Sequence, residues 1–236
     1  MKNLFRPVKP MLLVSILPQE SKTLFRVYRD YLVFINLVRE LVNSHQHHIH
    51  GFSWLGSEAW LLIRPESEQL LAQVVSILKR YFLWLKQHDT GSEEFQLRVM
   101  ELHTSEQMLD ALRYVHKRPT TCGQVADPLD YHWHSYPVYN QFWQLDWLNT
   151  QELLGYFSSN RILAMNAFRQ HMQRSGEHDY KAIIEQEPKS SYVDYNLVQN
   201  QALAEPEYPY HADITSYETQ LVPIPSGLQV MFNTTS

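Results

Sequence analysis

A single cysteine, Cys122, stands in 236 residues. No internal disulfide can form, which fits a reducing compartment, so a cytoplasmic protein is expected. Long apolar runs are also missing. The N-terminal run from Met11 to Leu17 is far shorter than the roughly 20 residues a spanning helix needs. No small-residue cleavage site follows it, so it reads as a core strand and no membrane partner is expected. Nor is there an excess of positive charge, since the formal net charge is −5. That argues weakly against nucleic acid, but the distribution is uneven. Residues 1–120 hold 15 Lys/Arg against 12 Asp/Glu, whereas 121–236 hold 5 against 13. A mildly basic body precedes an acidic tail, and a local basic face remains compatible with the total. Internal repeats and long low-complexity runs are absent.

What the chain does have is apolar and aromatic content, 44% and 13%, enough for one sizeable folded domain with an appendage. Pro18 ends the Met11–Leu17 strand. Apolar residues from Leu24 to Ser44 recur at spacings of three and four and predict a long amphipathic helix. Glu66 to Lys86 predicts a second, with Lys79 and Arg80 off its apolar stripe on a solvated face. Asp89-Thr90-Gly91-Ser92 is a turn, and Phe95-Gln96-Leu97-Arg98-Val99 alternates as a strand. Thr104 and Gln107 carry a capping-box pattern, opening a helix through Val115 that should end at Arg118, before Pro119. Residues 131–148 are dense in aromatics. Short helices follow from Asn149 to Phe157 and from Ser159 to Gln173. Periodicity fades from Gly176, leaving an irregular tail over 176–236 with a possible strand at 228–232. Residues 1–175 are read as the domain. The order strand, helix, two strands, helix, strand, helix predicts an α+β fold. It is a ferredoxin-like split β-α-β antiparallel sheet with helices on one face, plus C-terminal helices and an extended tail.

The two middle strands flank Gly56-Ser57 as a hairpin, and Pro65 stops the second. His48-Ile49-His50 puts two imidazoles on one strand face, a pattern that can hold a metal. Pairing out from the turn sets Leu55 against Glu58, Ser53 against Trp60, Gly51 against Leu62 and His50 against Ile63. On that register His48 and His50 face away from Glu58 and Trp60, so the two pairs cannot share a site. His45, His47, His48 and His50 read as an exposed polar strand entry, with a weak adventitious transition-metal site as the alternative.

Several stretches, taken in order, resemble the REP-associated tyrosine transposases of the HUH single-tyrosine superfamily. They are Leu24-Phe25, then Thr90-Gly91 with Arg98 beyond. Two more specific ones follow: Arg113-Tyr114-Val115-His116-Lys117-Arg118-Pro119, and Asp127-Pro128-Leu129-Asp130-Tyr131-His132-Trp133-His134-Ser135-Tyr136-Pro137-Val138-Tyr139. Trp147-Leu148 continues the match, which covers roughly residues 10–175. The resemblance implies an HUH-type fold and a reaction in which a tyrosine attacks a DNA phosphate to give a 5′-phosphotyrosine link. It places Tyr114 at the nucleophile position and Glu58, Trp60 and Arg118 at the three metal-ligand positions.

Those three residues depart from a working ligand set. Glu58 could hold Mg²⁺ through oxygen. Trp60 offers only an N–H, and Arg118 is a fixed cation that repels a metal ion. No cofactor is expected, or Mg²⁺ or Mn²⁺ if the site is active. Arg118 gripping the phosphate in the metal's place is a competing idea. Arg98, Arg113, Lys117, Arg118, Trp133 and Ser135 are the DNA-binding candidates. Trp133, Tyr136 and Tyr139 could stack on bases or fill the core, and Tyr114 could itself be a packing residue. The reading that follows is a protein for single-stranded or hairpin DNA, of transposase descent, with cleavage lost or impaired. An active single-tyrosine nuclease and a repurposed protein-interaction module are the alternatives, the latter with the acidic tail covering the basic face. A monomer is favoured.

Overall fold

The computed structural model describes residues 10–18, 23–87, 95–140, 144–174 and Tyr180. The predicted turn at 89–92, Phe142, Trp143 and the tail beyond Tyr180, with its possible strand at 228–232, lie outside the described residues. Four strands form one antiparallel sheet in the order β2-β3-β1-β4. They are β1 (Met11–Pro18), β2 (His48–Leu55), β3 (Glu58–Arg64) and β4 (Phe95–Leu102). The helices between and after them are α1 (Tyr28–Asn43), α2 (Leu70–Gln87) and α3 (Ser105–Thr121). Short helices α4 (Tyr136–Tyr139) and α5 (Gln151–Gly155) then lead to α6 (Arg161–Met172). The α+β architecture with a four-stranded antiparallel sheet is the expected one.

β1 lies between β3 and β4, and burial on both faces explains its unbroken apolar run. α1 starts later than its periodicity suggested. Leu24 and Phe25 give their N–H groups to the carbonyl of Gly56 in the hairpin turn. Asp30 Oδ2 then accepts from the N–H groups of Arg26 and Val27, satisfying donors at the helix start.

Helices cover both faces of the sheet, which corrects the one-face expectation. Phe34, Val38 and Leu41 of α1 and Val74, Ile77 and Leu78 of α2 meet Ile16, Trp54, Ala59 and Leu61 on one face. α3 takes the other, where Tyr114 touches Trp60 and Arg118 pairs with Glu58. Alternation along β3 requires this, because 58, 60 and 62 point opposite to 59, 61 and 63.

α3 also runs through Pro119 to Thr121, rather than ending at Arg118. The stop comes from Gly123, whose φ of 68° is left-handed. The N–H of Gly123 reaches Thr120 O at 3.0 Å and that of Gln124 reaches Pro119 O at 2.8 Å, the two bonds of a Schellman ending. Pro119 lacks only one helix bond, near the end, and that much is tolerated in a terminal turn.

The free edge of β2 is closed by the aromatic stretch. Trp54 N–H donates to Trp133 O, Ser135 N–H to Phe52 O and Asn149 N–H to Ile49 O. Such cover removes an exposed pairing edge. Tyr131 and Tyr139 donate their hydroxyls to the carbonyls of Trp54 and His50, so these rings are mainly architectural. Among the described residues no helix is long and apolar enough to cross a membrane.

Candidate functional site

Residues 114, 118 and 122 of the α3 region recur every fourth position, so they share one side of the helix, the side that meets β3. Tyr114, 5% exposed, packs edge-on to Trp60, which is fully buried, with ring centroids 5.1 Å apart. One turn on, Arg118 Nε donates to Glu58 Oε1 at 2.6 Å, and its Nη2 forms an ion pair with the same oxygen. The guanidinium carbon lies 5.3 Å from the Tyr114 ring and 6.0 Å from the Trp60 ring. Cys122 Sγ is 3.8 Å from Glu58 Oε1. Burial is the largest single influence and works against the Arg118 charge, but the Glu58 carboxylate, Tyr114 and Cys122 together hold the guanidinium above its ordinary pKa. The structure thus brings together all four residues that the resemblance placed at the nucleophile and ligand positions.

The donor set does not suit a divalent ion. Glu58, 2% exposed, already spends an oxygen on Arg118. Trp60 has no lone pair to give, and Arg118 fills the space with its own charge. Among the described residues no group of three or more His, Cys, Asp and Glu is placed to hold a metal. A divalent ion would have to displace the Arg118 guanidinium from Glu58 before it could bind there.

Sequence reasoning missed Tyr180. Its ring lies edge-on to Tyr114 at 5.4 Å, and its hydroxyl donates to Gln107 O at 3.3 Å. Burial, together with Asp110, pushes its pKa up to about 12. Nothing local in the sequence marks Tyr180, because it folds back across about 70 residues of chain to reach α3.

The DNA-binding candidates scatter. Arg113 is 4% exposed and pairs with Asp110 at 3.2 Å. Ser135 is fully buried, accepts the N–H of Phe52 at 2.9 Å and lies 2.7 Å from His116 Nε2. Trp133 stacks on Tyr31 with centroids 4.4 Å apart and an interplanar angle of 8°. Arg98 and Lys117 are half-buried. Arg113 and Ser135 therefore face inward and act on packing, and Trp133 already has one ring face covered.

The histidine stretch differs most from expectation. The register follows the hairpin prediction from Leu55↔Glu58 to Gly51↔Leu62, then slips at a bulge, so that Ile49 pairs with Ile63 and His48 with Arg64. His50 is the extra residue and pairs with nothing in the ladder. The bulge returns His48 to the sheet face that carries Trp60 and Arg64. The separation of the two pairs is therefore one of length, about 20 Å of strand between Glu58 and Arg64, and not of face. His47 and His50 are also fully buried, not exposed. Gln46, at φ 60°, turns His47 inward. There His47 Nδ1 accepts from Glu66 N–H at 3.0 Å and Nε2 lies 2.6 Å from Gln73 Oε1. His50 Nδ1 is 2.9 Å from Asn149 O, and its Nε2 faces Glu152, the carboxylate that pairs with Arg64. Burial lowers the His50 pKa to about 4 even though Glu152 pulls it up.

No protein-family profile and no curated protein matches the chain. A solved structure described as a REP-associated tyrosine transposase bound to a REP hairpin is similar in architecture. The TM-score is 0.49 and the identity 10%, over 60% of this chain and 86% of the other.

Proposed function

We propose that the chain is a DNA-binding protein of the REP-associated tyrosine transposase type, recognising single-stranded or hairpin DNA, with strand cleavage lost or impaired. The observation that carries this reading is the Glu58–Arg118 ion pair, set against Trp60 beside Tyr114. The sequence motifs resemble the transposases, and the four positions that resemblance singles out meet in one place. Yet a protein-borne cation stands where the reaction calls for a metal ion to polarise the phosphate. Tyr114 is packed between Trp60, Arg118 and Tyr180, and the positive charge beside it is a guanidinium already paired with Glu58 rather than a divalent ion. On this reading the chain holds a strand and does not cut it.

The test uses purified full-length protein, a labelled hairpin oligonucleotide and its unpaired form, with Mg²⁺ or Mn²⁺. Binding that weakens with salt is expected, with no nick and no covalent adduct. A nicked product joined to Tyr114, abolished by Tyr114→Phe, would establish an active nuclease instead. Absence of any binding at low salt would remove the DNA reading altogether and favour a protein-interaction role.

A further inference from the structure

One row of residues crosses the α3 face of the sheet. Ser53 pairs with Trp60, Trp60 with Ser15, and Ser15 with Arg98, on β2, β3, β1 and β4 in turn. Ser53, Trp60 and Ser15 are each 0% exposed. All four carry buried polar atoms with no hydrogen-bond partner among the described residues: Ser53 Oγ, Trp60 Nε1, Ser15 Oγ, and Arg98 Nε and Nη1. Arg98 Nη2 alone is used, donating to Gln96 Oε1 at 2.7 Å. Buried polar groups are nearly always satisfied. Four unsatisfied ones side by side on neighbouring strands therefore need a cause.

The chemistry of the set is one-sided. Trp60 Nε1 and the Arg98 guanidinium can only donate, and the two serines donate or accept. No carboxylate belongs to the row. Glu58 lies two residues from Trp60 on the same face, but Arg118 neutralises it. A guest that satisfies such a set must accept hydrogen bonds and carry negative charge. Strands stand about 4.8 Å apart, so an oxyanion over Ser15 has Trp60 on one side and Arg98 on the other. α3 lies chiefly over β2 and β3, and half-buried Arg98 on the edge strand β4 marks the side of entry.

We propose that the Ser15–Trp60–Arg98 row is an oxyanion site of phosphate class, a metal-free seat beside Tyr114 for one phosphate group. The proposal rests on the DNA reading only for its source, the phosphodiester of a bound strand; free phosphate is the other source of the same chemistry. Ser53, at the far end, completes the polar row without being required for contact.

The test compares wild type with Ser15→Ala, Trp60→Phe and Arg98→Gln in the full-length protein. Melting temperature is followed with inorganic phosphate against chloride at matched ionic strength, and oligonucleotide affinity by anisotropy. Phosphate should raise the wild-type melting temperature. Ser15→Ala should raise the ligand-free value, because it deletes an unsatisfied buried hydroxyl, while shrinking the phosphate response. Arg98→Gln, which keeps a polar side chain at a half-buried position on the edge strand, should weaken oligonucleotide binding about tenfold by removing one charge-assisted contact. A phosphate response without DNA binding keeps the site, makes free phosphate its source and overturns the DNA reading. DNA binding that none of the substitutions alters, with no phosphate response, overturns the site and leaves the DNA reading standing. Neither response overturns both.

Discussion

Removing either partner of the Glu58–Arg118 pair strands the other where water cannot reach it well, with side chains only 3% and 12% exposed. Glu58→Ala or Arg118→Ala should each cost about 3–5 kcal/mol in urea unfolding. The double replacement Glu58→Leu, Arg118→Met should cost much less than the sum, because no orphaned charge remains. Additive losses in that cycle would show that the pair is not coupled and that Arg118 is held by its contacts with the two rings. That these positions meet was expected from the resemblance, which set Glu58 and Trp60 on the strand after the hairpin turn and Tyr114 and Arg118 in the stretch 113–119. Their bonding was not. An ion pair across 60 residues leaves no local pattern, and Cys122 and Tyr180 joined the site without any signal of their own.

At the level of elements, the hairpin was readable outward from its turn for five residues of β2 and then failed. Strict alternation assumes one residue against one, and the bulge at His50 breaks that count. Its causes are distant: Asn149 O holds the imidazole and the Tyr139 hydroxyl donates to the His50 carbonyl. Beside the bulge, Gly51 lets β2 approach α3, for a Cβ there would sit 2.7 Å from Leu112 Cδ1. Leu112 is itself fully buried and has little room to give. Gly51→Ala is therefore expected to destabilise by about 1–3 kcal/mol through overpacking, read as a lower urea midpoint at unchanged slope. No loss would mean that Leu112 re-seats freely. The α3 ending carries a similar lesson. Pro119 looked like the stop, but the cap lies at Gly123, and only the longer helix sets Arg118 in regular register one turn beyond Tyr114.

Taken whole, the molecule combines twelve histidines with a net charge of −5, and several of those histidines sit inside. His47, His50, His116 and His134 are each 0% exposed. Burial is the leading cause in every case and lowers their pKa, to about 4 for His50 and about 3 for His134, with His47 lower and His116 well below the usual value. In the unfolded chain these rings titrate near 6.5. Between that value and the folded ones the unfolded state binds more protons, so stability rises with pH across this window. It is fully present above about pH 6.5 and declines as pH falls toward 4, before most carboxylates protonate. His50 alone accounts for about 3 kcal/mol of that fall when fully expressed. Urea midpoints should therefore drop steadily from about pH 7.5 to about pH 5, and His50→Gln should flatten the slope. A flat profile over that range would mean that the interior histidines accept protons in the folded state, with Glu152 drawing a charge onto His50 against the cost of burial.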